Sequence, residues 1–103
     1  MPWGSWWSYP LTEASVILSA PEGAGVYMLH GLHILHCARA CIYVGETKNI
    51  RAQLIQHLRE DDSCLAMFRA RTFSYELLIP AALSLRCAEL VREFRPVCNH
   101  RWA

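Results

Sequence analysis

Four sets of residues in this 103-residue chain carry side chains that could do chemistry. His30, His33, His36, Cys37 and Cys41 crowd one short stretch, and imidazole and thiolate are the usual ligands of zinc. Zinc sites tend to space cysteines as Cys-x-x-Cys, whereas Cys37 and Cys41 are one residue further apart. The stretch therefore reads as a half-buried hairpin whose histidines alternate on and off the sheet. Cys98 and His100 flank Asn99 and could reach a metal, although ordinary tail packing accounts for them. Arg92, Arg95 and Arg101 would form a basic patch near the C-terminus, or simply a solvated helix face. Glu46 directly follows Gly45, where a polar residue either lines a groove or is solvated in a turn.

The elements that must position these groups can be read from periodicity. Thr12 is a candidate N-cap for a short helix stopped by Pro21 and the glycines Gly23 and Gly25. "GVYMLH" and "CIYV" read as strands, and "GLHILHCARA" between them is too long for a two-residue turn. From Lys48 to Glu60, Ile50, Leu54, Ile55 and Leu58 form an apolar stripe at helical spacing. "DDSCLAMFRAR" offers a further short helix capped by Asp61 or Asp62. "TFSYELLI" reads as a third strand ended by Pro80. "LSLRCAELVREF" is a helix with Leu83, Cys87, Leu90, Val91 and Phe94 on one face, stopped by Pro96. The expected fold is α+β, with a small three-stranded antiparallel sheet flanked by helices. Residues 1–103 make one domain, with 1–24 an aromatic arm plus short helix and 25–99 the core. Trp3, Trp6, Trp7 and Tyr9 in the arm would cap a hydrophobic edge or, less simply, stack on bases.

Composition sets limits. A hydrophobic content of 53% is high for so small a domain, so self-association as a homodimer is an expectation. The net charge is +1, and nine of the ten basic residues are arginine. That balance argues against strong non-specific nucleic-acid binding, so a DNA partner would meet a local patch. Five cysteines with irregular spacing and no recognisable secretory signal suggest reduced thiols in a cytoplasmic protein. His30, His33, His36 and Arg39 interrupt the apolar stretch from Val26 to Gly45, which excludes a membrane span there.

"GVY" (25–27), "YVG" (43–45), "KNIRAQLIQHL" (48–58) and "RPVCN" (95–99) together resemble the GIY-YIG nuclease domain, in that family's element order. The resemblance implies two tyrosines, Tyr27 and Tyr43, facing a shallow groove, one of which deprotonates or positions an attacking water. His57 falls where the family has tyrosine or histidine, Gly45 on the second glycine, and Asn99 on the asparagine that buttresses the site. It also implies a divalent metal, Mg²⁺ or Mn²⁺, and DNA as the partner. Water needs a base or a metal to attack at neutral pH, and growing charge on phosphate oxygens needs cations.

The two charged positions depart from the family. Its arginine lands on Gln53, and Arg51 lies roughly 160° around the helix from Gln53, whereas His57 is only about 40° away. Its metal-holding glutamate lands on Cys87. Glu89 is the nearest carboxylate and would need a bend or bulge to reach the groove; otherwise Cys87 is a buried structural thiol. The functional expectation is a divalent-metal-dependent DNA endonuclease with a degenerate site. The alternative is a catalytically silent relative that binds nucleic acid or protein through the same groove.

Overall fold

The computed structural model describes residues 8–33, 38–60 and 62–100. Trp3, Trp6, Trp7, His36, Cys37, Asp61 and Arg101, and the side chains of His33, Arg39 and His100, lie outside the described residues.

The chain builds a hairpin from β2 (Gly25–His33) and β3 (Ala38–Thr47). It is antiparallel, with Tyr27 opposite Gly45 and Leu29 opposite Tyr43. Between Leu29 and His30 the register slips, and His30 then pairs with Cys41. Ile42 is thus the extra residue of a bulge, which turns it into the same core that Tyr43 packs against. The other edge of β2 pairs with β4 (Thr72–Leu77), Tyr27 facing Tyr75.

The sheet has four strands, not three. β1 (Tyr9–Pro10) belongs to the arm and pairs with β4 through Tyr9 and Phe73, giving the order β1-β4-β2-β3. Ring packing explains why so short a strand forms: Tyr9 lies 5.4 Å from Phe73 and 6.0 Å from Tyr75, centroid to centroid.

Both faces are covered. α1 (Glu13–Ser19), α2 (Ile50–Arg59) and α3 (Ser63–Met67) close one face, where Val16, Ile50, Leu54 and Leu65 meet Tyr27, Leu29 and Phe73. The N-caps Thr12, Asn49 and Asp62 each accept a backbone N–H of the first turn they precede. On the other face α4 (Leu83–Phe94) lays Leu90, Cys87, Val91 and Phe94 against Val26, Met28 and Val44. Arg95 ends α4 in the left-handed region, φ 45°, and Pro96 prevents continuation.

The expectation of reduced thiols fails at one pair. Cys64 of α3 and Cys98 form a disulfide with Cα atoms 5.8 Å apart, an ordinary span for the bond. The two are 34 residues apart in sequence, and only the folded topology brings them together. Cys41 and Cys87 are free. The Cys41 thiol donates to Met28 Sδ at 3.3 Å, and burial pushes it up to about 12. Among the described residues no helix is long and apolar enough to cross a membrane.

Asn99 sits in the terminal 3₁₀ turn, Val97–His100, and treats the free edge of β3 as a strand would. Its Oδ1 accepts the Val44 N–H and its Nδ2 donates to the Val44 carbonyl, each at 2.7 Å. Val44 is itself buried, so both groups would otherwise lose water without gaining a partner. Asn99→Ala should therefore cost about 2–4 kcal/mol in urea denaturation, summing two unmade hydrogen bonds. An unchanged midpoint would show that the edge does not depend on this amide.

Candidate functional site

The site begins with a close approach. A Cβ added at Gly45 would sit 2.5 Å from both Cζ and Oη of Tyr27, so the phenol lies directly on the backbone of β3. Only glycine leaves that space. Tyr27 is 1% exposed, yet its hydroxyl reaches the sheet edge, where Oη lies 2.7 Å from His57 Nε2. When that nitrogen carries no proton, the phenol donates to it.

α2 delivers His57. Ile50 and Leu54 are fully buried and fix the helix, and His57 lies one turn beyond Leu54. Its ring stands edge-on to Tyr27, centroids 5.6 Å apart, and to Tyr43 at 5.3 Å. Tyr27 and Tyr43 are 6.0 Å apart, so the three rings form a triangle. One turn before His57, the Gln53 side chain faces Tyr27 and holds its pKa down slightly. Burial, then Tyr43, raise the Tyr27 pKa far above that of a free phenol, more than the Gln53 contact lowers it. Tyr27 is therefore neutral at physiological pH.

The expected residues do not all arrive. Arg51 leaves the groove: its Nε donates to the Ala20 carbonyl at 2.8 Å, and Glu22 lies 3.6 Å from its guanidinium. The helical offset from Gln53 decides this, since Gln53 and His57 face the tyrosines while Arg51 faces α1. Glu89 is held elsewhere too. Arg86 donates to Glu76 on β4 at 2.8 Å and to Glu89 at 3.3 Å, a three-charge cluster away from the phenols. Cys87, two residues earlier, is the member of α4 that Tyr27 feels electrostatically.

A carboxylate does face Cys87, and it comes from β3. Glu46 lies opposite Val26 in the register, hence on the face that α4 covers. Ser84 Oγ, one turn before Cys87 on α4, donates to Glu46 Oε1 at 3.3 Å. Burial and then the Glu46 charge push the Cys87 thiol up to about 11. Ser84 was invisible as a site residue in the sequence. Its signal was spacing alone: Ser84 and Cys87 are i, i+3, and Glu46 is two residues past Val44.

A divalent cation is often held through one or two carboxylates, with water filling its other positions, so Glu46 is a donor set of the right kind. Among the described residues no group of three His, Cys, Asp or Glu gathers, so no all-protein cage exists there. His30, one of the hairpin histidines, instead bonds Ser74 Oγ at 2.8 Å through its Nε2.

Solved structures share this arrangement of elements. The magnesium-bound GIY-YIG N-terminal endonuclease domain of UvrC from Thermotoga maritima superposes with a TM-score of 0.62 at 21% identity, covering 79% of this chain and 88% of that one. A tyrosine-to-phenylalanine point mutant of that domain, bound to its catalytic divalent cation, gives 0.65 at 22%, covering 82% and 91%. In sequence, excinuclease cho of Escherichia coli K12 is 30% identical over 97 residues. The chain has the GIY-YIG fold. The match takes in 92% of the chain but only 31% of the excinuclease, and the same figures hold for excinuclease cho of Salmonella typhi. No family model matches the chain.

Two outcomes test this site. Gly45→Ala forces the Tyr27 ring off the strand and should destabilise the domain by about 1–3 kcal/mol, as overpacking does. The Tyr27→Phe, Gly45→Ala double variant will not recover it, because the ring itself makes the clash; a wild-type melting temperature for Gly45→Ala would refute the close approach. Separately, alkylation of Cys87 should accelerate about tenfold per pH unit up to about 11, because only the thiolate reacts. Glu46→Gln removes a charge that raises the pKa, so the profile should shift to lower pH. A shift upward, or none, would contradict the contact.

Proposed function

We propose that this domain holds a DNA phosphodiester in the Tyr27–Tyr43–His57 groove and hydrolyses it slowly, with a divalent cation. The observation that carries the proposal is the 2.7 Å hydrogen bond from Tyr27 to His57 inside the ring triangle. A neutral phenol beside an imidazole can relay a proton. Water passes one proton to Tyr27 Oη while Tyr27 passes its own to His57 Nε2. The hydroxyl oxygen left behind bonds phosphorus, and the leaving oxygen departs with the electrons of the broken P–O bond. A cation near Glu46 would supply positive charge for the phosphate oxygens.

The relatives support this reading: the Thermotoga domain is an endonuclease domain bound to its catalytic cation, and the Escherichia coli protein is an excinuclease. Slowness follows from Gln53. An amide can bond a phosphate oxygen but brings no charge, and one lost stabilising donor typically costs about 3–4 kcal/mol at the transition state.

A second reading rests on the same positions. With Gln53 and Cys87 where the pattern places arginine and glutamate, the groove would bind nucleic acid or protein without cutting it.

Nicking of supercoiled plasmid with Mg²⁺ or Mn²⁺, beside a parallel DNA-binding assay, separates them. Hydrolysis that drops about 100-fold or more in Tyr27→Phe supports the nuclease. DNA binding with no nicking above the Tyr27→Phe background would establish the silent module.

A further inference from the structure

We propose that a recess at the hairpin end of the sheet is an anion site, in which the guanidinium groups of Arg69 and Arg71 take the phosphate group of a nucleotide. The inference rests on the functional reading above only for the source of that phosphate; the site itself does not depend on whether DNA is cut.

Three observations carry it. First, there is a space. His30, Gly31 and Leu32 of β2, with Arg69, Arg71 and Thr72 on the approach to β4, line an open recess of about 450 Å³, a volume usual for small-molecule sites. No Asp or Glu is among these residues. Second, the charge there is unspent. Arg51, Arg59 and Arg86 are each paired with a glutamate, whereas among the described residues neither Arg69 nor Arg71 has an ion pair. Both are exposed, and two residues apart in sequence their Cα atoms lie within about 7 Å of each other. Each offers a fork of N–H donors that a phosphate accepts, and their mutual repulsion is relieved when an anion enters.

Third, the backbone that carries them is built. Arg69 stands just past α3 with φ 54°. Its N–H donates to the Ala66 carbonyl at 3.2 Å, and the Ala70 N–H to the Leu65 carbonyl at 3.0 Å, the pair of bonds that closes a helix over a left-handed residue. Glycine is the usual occupant of that position, because a Cβ is penalised there. The turn is then stitched to β2: the Leu32 N–H donates to the Phe68 carbonyl at 2.7 Å and the Arg71 N–H to the His30 carbonyl at 2.9 Å. A Cβ at Gly31 would run into the Phe68 and Arg69 carbonyl oxygens, so the two segments touch directly. An arginine thus occupies a fixed position where local geometry alone favours glycine.

The ligand chemistry follows from the lining. The walls are mostly carbon, which suits a sugar or base, and the guanidinium groups suit the phosphate. His30 is three residues along β2 from Tyr27, about 10 Å at the rise of a strand. One nucleic-acid strand covers that distance in about three phosphates. Two cations so placed would give the strand the positive charge that Gln53 does not bring.

Fluorescence anisotropy of a short labelled single-stranded oligonucleotide, in EDTA and across a salt series, tests this. Arg69→Gly and Arg71→Gln should each weaken binding about tenfold at low salt and flatten the log–log salt slope by about 0.7. Arg92→Gln, which removes the same charge from the outer face of α4, should leave both near wild type. Arg69→Gly should also melt no lower than the wild type, since glycine accepts the left-handed turn; a lower melting temperature would make the arginine a part of the turn and sink the inference. Thymidine monophosphate, titrated against the chain by amide NMR, separates the two sources. Shifts at 30–32 and 69–72, lost in Arg69→Gly while strand binding is untouched, make the ligand a free nucleotide; a flattened slope makes it a phosphate of the strand. Neither effect, or an equal loss in Arg92→Gln, overturns the proposal. Plasmid nicking with an unchanged slope and no shifts would defeat this inference and leave the nuclease reading intact, whereas nucleotide binding lost in Arg69→Gly without any nicking would do the opposite.

Discussion

The Tyr27 ring lying on Gly45 is the constraint on which the rest depends. A buried tyrosine needs a partner for its hydroxyl, and here that hydroxyl reaches His57 across the neighbouring strand. This requires glycine opposite, which requires the hairpin register that pairs position 27 with position 45. A slip of one residue would place Glu46 or Val44 under the ring and turn every alternate side chain to the wrong face. The bulge at Ile42 lies after these pairs along β2, so it adjusts the hairpin tip without disturbing them. α2 must then present His57 at hydrogen-bond distance, and Ile50 and Leu54 lock it by full burial.

The strand that bears Tyr43, Gly45 and Glu46 is also an edge strand, the position most prone to fray or to pair with another chain. The molecule secures it from three sides. α4 packs across Val44, the Asn99 amide closes Val44's hydrogen bonds, and the Cys64–Cys98 disulfide pins the residue next to Asn99 to α3. In the chain-entropy view a bridge of this loop length contributes about 3–4 kcal/mol. The energy of that bond is therefore felt one residue away, where it holds the amide that closes the edge of β3. A protein that keeps its thiols reduced would have to secure the same edge with the amide and the helix alone.

Legibility in the sequence tracked the range of the interaction. Thr12 as a cap, the stripe of α2 and the inward face of α4 are local patterns, and the structure contains them. The offset that separates Gln53 from Arg51 is helical geometry, and in the fold Arg51 turns to the Ala20 carbonyl. What escaped was non-local. Tyr9–Pro10 is too short to show alternation and exists as a strand only because Phe73 and Tyr75 offer rings to pack on. The Cys64–Cys98 pair has no spacing signature. Glu89 was the carboxylate nearest in sequence to Cys87, but proximity along a helix is not proximity in space; Glu46, 41 residues upstream of Cys87 in numbering, is the one whose charge raises the thiol's pKa.

The distribution of charge makes the deeper point. This chain has nearly balanced charges, and its guanidinium groups near the site are spent on structure: Arg51 ties α2 to α1, and Arg86 ties α4 to β4. A groove lined by phenols, an imidazole and an amide attracts phosphate weakly at long range, because steering falls with the local charge. Selection in such a groove has to come at short range, from ring shape and hydrogen bonds that form only once the backbone of the ligand is seated.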